Sequence, residues 1–151
     1  MSILGLTTGY KPKDPQAKPY ARGEFVCNVD ALKIVEITDG LRYFLRVSII
    51  NAVKPKETNE AVMSDEINLW FNPNDEKSAK KFRDNMFVSG LDQFLDWSSD
   101  EALEASFPNV TNKLVYVNAW TFTSKTDGGE IQQSVLKNKS LITPENSQVK
   151  I

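Results

Sequence analysis

The alternation that begins at Gly23 constrains this chain more than any other feature. In GEFVCNVDALKIVEI (23–37) the apolar residues Phe25, Cys27 and Val29 share one parity, and Leu32 and Ile34 resume on the other. A pleated strand sends successive side chains to opposite faces, so one face of this segment is core. The change of parity at Asp30–Ala31 predicts a bulge within one long, bent strand. Thr38-Asp39-Gly40 supplies a tight turn. LRYFLRVSII (41–50) then alternates again through Leu41, Tyr43, Leu45, Val47 and Ile49, within a strand read as 41–53.

The later segments extend the pattern. KPKETNE (54–60) is a polar loop. AVMSDEINLWF (61–71) reads as a third strand, with Met63, Ile67, Leu69 and Phe71 on one parity and Ser64, Glu66, Asn68 and Trp70 on the other. NPND (72–75) stops it and prepares a helix cap. EKSAKKFRDNMFV (76–88) places Ala79, Phe82 and Met86 at helical spacing, and Gly90 ends it. LDQFLDW (91–97) is a second helical piece, and SSDEALEASF (98–107) opens with a capping-box pattern from Ser98 to Glu101. NKLVYVNAWTFTS (112–124) and IQQSVLK (131–137) are two further strands joined by the turn KTDGGE. Residues 1–22 carry Lys11, Lys13, Lys18 and Arg22 against Asp14 and read as a basic N-terminal arm. Residues 139–151 read as a flexible tail after a domain at 23–138.

Composition removes most catalytic chemistry. The 151 residues include no histidine and one cysteine, Cys27. Histidine triads and nearly every common zinc site therefore lack their parts. There is no Gly-rich phosphate loop. No catalytic residue, cofactor or metal is expected. The carboxylates that would serve a metal-dependent nuclease, Asp65 and Glu66, are adjacent and so face opposite ways on a strand. Cys27 within an apolar alternation reads as a buried thiol, which suits a reducing, cytoplasmic setting. No apolar run is long enough to cross a bilayer, and no signal peptide is evident. The formal net charge is −2, so any affinity for a polyanion must come from local clustering of cations.

Three antiparallel strands, a helical insert and two more strands is the element order of a five-stranded OB-fold Greek-key barrel. Such a barrel binds oligonucleotides on the outer face of its second and third strands. If the odd positions of 41–53 line the interior, Arg42, Phe44 and Arg46 point outward, and Trp70 and Asn68 join them from the third strand. Rings that stack bases beside cations that pair with phosphates are what a single strand requires. On the fourth strand the small residues Val115, Val117 and Ala119 suit a narrow interior, leaving Tyr116, Asn118, Trp120 and Phe122 outward. The opposite parity, with the large aromatics inside, remains open on the pattern alone. Lys33, Lys54, Lys56 and Lys125 would extend the basic track. Taken singly, each aromatic fits a core or interface position equally well; the combination carries the reading.

The chain also resembles a family of phage OB-fold single-stranded-DNA-binding proteins encoded in recombination and replication gene clusters. The resemblance runs from Gly23 to Lys137. It rests on GEF (23–25), TDGLRYFLRVSI (38–49), INLWFNPND (67–75), FRDNMFVSGL (82–91) and TNKLVYVNAW (111–120). The family usually has Gly-Lys where this chain has Asn112-Lys113. The resemblance implies binding of single-stranded DNA during phage replication or recombination, with replication or recombination proteins as further partners and no catalytic residues. Many such proteins end in an acidic tail, whereas PENSQVKI here carries Glu145 against Lys150. The acidic stretch Asp92, Asp96, Asp100, Glu101 and Glu104 could recruit partners instead, or simply be a solvated face. RNA offers the same base faces as DNA. A second reading makes the exposed aromatics an oligomer or partner interface.

Overall fold

In the computed structural model, residues 21–55, 65–126 and 128–147 are described. The expected N-terminal arm up to residue 20 and residues 56–64, which include Lys56 and the first part of the strand expected over 61–71, lie outside them. The strands are β1 (Gly23–Ile37), β2 (Gly40–Pro55), β3 (Glu66–Phe71), β4 (Leu114–Thr123) and β5 (Glu130–Lys137). They form one antiparallel sheet in the order β3-β2-β1-β4-β5, so the fold is mainly β. The sheet is not closed: β3 and β5 are its edges, and they approach without pairing. Among the described residues no helix is long and apolar enough to cross a membrane.

The central strand does what its phase slip predicts. β1 pairs with β2 along its length and with β4 over Gly23–Asn28, and its register shifts between Val29 and Ala31. Further shifts fall at Glu24/Phe25 and Val26/Cys27. Each extra residue bends the strand and increases its twist, which lets one strand serve two neighbours in a curled sheet. The shift at Ala31 also returns Leu32 to the interior, where it joins Phe25, Cys27 and Val29. Burial pushes the Cys27 thiol well above its usual pKa, with Asp30 adding to the effect. Cys27 is therefore a small core residue rather than a reactive thiolate.

Between β3 and β4 lie two helices, α1 (Glu76–Ser89) and α2 (Asp100–Ser106), with single 3-10 turns at Leu91–Phe94 and Phe107–Val110. Asp75 caps α1 by accepting from Ser78 N at 2.9 Å. Gly90 ends it at φ 78°, a left-handed conformation that suits glycine. A Cβ there would also stand 2.9 Å from Lys139 Cδ. The expected cap at Ser98 is corrected by one residue. Ser98 N donates to Asp96 Oδ1, which holds Ser98 in the preceding turn, and Ser99 Oγ accepts from Ala102 N.

The helices bury an aromatic cluster against one end of the sheet. Phe82 of α1 sits edge-on to Tyr43 at 5.2 Å and to Phe71 at 5.3 Å between ring centroids. Phe107 meets Tyr43 at 4.9 Å. Trp97 closes the group, with its indole N–H donating to Asp92 O and Arg83 lying over its ring at 4.6 Å. Fully burying each large apolar side chain contributes about 1.5–3 kcal/mol.

The Tyr43 phenol has its pKa pushed up to about 12, first by burial and then by Glu104 and Asp100. A raised folded-state pKa means that the stabilisation is complete below the unfolded value near 10 and is lost as pH rises towards 12. Stability of the wild type is therefore expected to fall across pH 10–12, and Tyr43→Phe is expected to flatten that fall. Urea midpoints measured at steps through this window check it; identical slopes for both proteins would refute it.

Of the expected tail, residues 139–147 are described. A turn at Lys139–Leu141 is capped by Asn138. Asn51 Nδ2 donates to Asn146 O at 2.9 Å, which ties this segment to β2. Asn51, Val26 and Tyr116 form one outward row across β2, β1 and β4, and all three are buried.

Candidate nucleic-acid interface

Register decides which side chains share the outer face. Lys33 of β1 lies opposite Phe44 of β2, and Phe44 lies opposite Trp70 of β3. Arg46 pairs with Asn68, and Arg42 with Val35. The intervening residues Tyr43, Leu45, Val47, Ile67, Leu69 and Phe71 all belong to the core. Arg42, Phe44, Arg46 and Trp70 therefore stand on the outer wall, as the alternation predicts.

Their geometry is that of a compact cationic and aromatic cluster. The Phe44 and Trp70 rings are 4.4 Å apart between centroids and tilted by 45°. Lys33 Nζ lies 5.7 Å and the Arg46 guanidinium 5.3 Å from the centre of the Phe44 ring. Phe44 is thereby covered to 4% exposure, while Trp70 remains 53% exposed. The expectation that both rings stack bases needs correcting. Phe44 has no open face for a base; it props Trp70 and gathers the two cations, and Trp70 is the free platform.

The cations differ in how available they are. Arg46 Nε is 3.6 Å from Glu66 Oε2, in a pair whose side chains are each nearly half exposed. Such a surface pair contributes about 0–1 kcal/mol, so a phosphate can displace the carboxylate at low cost. The Arg42 guanidinium donates to Leu41 O at 2.9 Å. Lys33 is exposed beside Phe44. Lys54 does not join the cluster. It lies near the far end of β2, 3.7 Å from Glu24, which also accepts from the Tyr116 hydroxyl at 3.2 Å. Burial and then Glu24 raise the Tyr116 phenol. Lys56 lies outside the described residues.

On β4 the parity left open by the sequence is resolved. Val115, Val117 and Ala119 are inside, and Trp120 and Phe122 are exposed on the outer face. Phe122 lies opposite Ile131 of β5, also exposed, and Lys125 is exposed in the turn just beyond.

Trp70 and Trp120 belong to strands that are not neighbours in the sheet, yet they line one cleft of about 670 Å³. The curl of the sheet brings the β3 and β5 edges together there, with α1 as the third wall. Lys77 and Lys81 of α1 line it too, as does Gln133 of β5. These three were not singled out from the sequence. The Lys77–Lys81 spacing does place both on one helical face, but nothing in the sequence says what that face meets. Lys80, in contrast, is paired with Glu76 at 3.0 Å.

No protein-family model matches this chain, and no curated protein is significantly similar to it.

Proposed function

We propose that the chain is a non-catalytic single-stranded-DNA-binding protein of the OB type, acting in the cytoplasm during phage replication or recombination. One observation carries the reading. An exposed tryptophan is braced by a buried phenylalanine, with Lys33 and Arg46 flanking that same ring, on the outer wall of β1, β2 and β3. Bases stack on such a platform and phosphates pair with such cations, whereas a duplex offers no free base faces. The sheet order supports it: a bulged central β1 pairs with both β2 and β4, and the helices fall between β3 and β4, as in an OB arrangement. The resemblance to phage proteins supplies the setting.

Arg46 and Lys33 contact phosphates in this reading, Arg42 extends the track, and Trp70 stacks. Trp120, Phe122 and Lys125 lie where the β4–β5 hairpin of an OB domain meets a bound strand. The test is a titration with oligothymidine followed by tryptophan fluorescence over a salt series. Saturating strand is expected to quench the emission. The affinity is expected to fall with a log–log slope of about −0.7 per phosphate neutralised. Absence of both quenching and binding at low salt would refute the proposal. The same titration with oligouridine distinguishes DNA from RNA preference.

A further inference from the structure

The cleft between the two sheet edges has a chemistry of its own. Each of its two sheet walls presents the same pair of groups. On β3, Asn68 and Trp70 are two residues apart on the outer parity, and both are exposed. Across the gap, Gln133 of β5 lies directly opposite Trp120 of β4, and both are exposed. An indole next to a carboxamide suits a nucleobase: the ring stacks on its face, and the amide donates to and accepts from its edge. The third wall, α1, contributes Lys77 and Lys81 one helical turn apart. Neither is ion-paired with a described residue. Asp75 also borders the cleft, but its carboxylate is engaged by Ser78 N at the helix cap. Asp84 lies further along the same helix and disfavours a phosphate at that end, which restricts the phosphate path to the Lys77–Lys81 end. The volume of about 670 Å³ falls within the roughly 300–1,000 Å³ typical of small-ligand sites.

We propose that this cleft is a nucleotide subsite, resting on the strand-binding reading above. It seats one base between Trp70 and Trp120, with the base edge met by Asn68 and Gln133 and the flanking phosphates by Lys77 and Lys81. The bound strand then does not run straight along β2 and β3. It turns at Trp70, crosses the open seam of the sheet and continues towards Phe122 and Lys125 on the β4–β5 hairpin. A subsite that reads a base edge also makes binding base-selective, which a stacking platform alone does not.

The test uses the full chain and short fluorescein-labelled oligonucleotides of dT, dC and dA, followed by anisotropy over a salt series. Wild type is expected to favour one base by about fivefold or more, the low end of what one carboxamide–base pairing provides. The double variant Asn68→Ala/Gln133→Ala is expected to level that preference. Lys77→Gln/Lys81→Gln is expected to reduce the salt slope by about 0.7 for each phosphate it no longer neutralises. Equal affinity for all three strands, with the salt slope unchanged in the α1 variant but reduced in Lys33→Gln/Arg46→Gln, overturns the cleft subsite and leaves the β2–β3 face standing. No binding by wild type at low salt overturns both. All six substituted positions are on the surface, and thermal melts confirm that each variant is folded.

Discussion

Trp70→Ala is expected to weaken binding of an oligothymidine strand roughly 5- to 150-fold, the equivalent of about 1–3 kcal/mol for one stacked base. The ring is more than half exposed, so its removal takes away a platform rather than core. Among the described residues its close aromatic neighbour is Phe44, and separating the two rings costs about 0.5–1.5 kcal/mol of folding stability. The two effects separate by experiment. Thermal melting is expected to move slightly, whereas the dissociation constant moves by that roughly 5- to 150-fold factor. Trp70→Phe keeps a smaller stacking face and is expected to recover part of the affinity. An unchanged dissociation constant in Trp70→Ala would remove the tryptophan from the site and leave the exposed face to a protein partner instead.

Phe82→Ala is expected to lower the unfolding free energy by about 3–5 kcal/mol, the range for deleting a buried aromatic ring. Phe82 is 3% exposed and is the ring on which the helical region meets the sheet. It contacts Tyr43 and Phe71 from the strands and Phe107 and Trp97 from the connecting segment. The rings that contact it are rigid and cannot swing into the space it would leave. A domain of ordinary stability has about 5–15 kcal/mol to lose, so this one change removes a large fraction. Urea denaturation followed by circular dichroism measures it. A loss below about 1 kcal/mol would mean that α1 does not depend on this ring for its docking. Phe82 lies on the core side of the sheet, so the remaining folded molecules are expected to keep the outer face of β2 and β3, whereas the cleft walled by α1 is expected to loosen.

Much of the fold was legible because alternation and helical spacing are local properties. The bulge at Asp30–Ala31, the parity of β2 and β3 and the helix at residues 76–89 follow from spacing alone, since a core face must be apolar. The cap at Ser99 rather than Ser98 was not legible. Two adjacent serines compete for it, and the outcome turns on the Asp96 carboxylate holding the first. The parity of β4 was ambiguous for a related reason. Small apolar residues alternate there with large aromatics, and either set can face a core until the width of the interior is known.

By itself, the amino-acid sequence determined which residues share a face: Arg42, Phe44 and Arg46 on one side of β2, Asn68 and Trp70 on one side of β3. It also determined that histidine chemistry is absent. Only the tertiary structure decided which of those residues are available. Phe44 is covered by Lys33, Arg46 and Trp70, three groups brought over it by strand register and pleat rather than by a run of neighbours in the chain. Lys54 is drawn to Glu24 in the same way. The cleft that joins Trp70 to Trp120 depends on how far the sheet curls and on where α1 packs. Curl is the sum of bulges and twist over five strands, a long-range quantity that no single segment encodes.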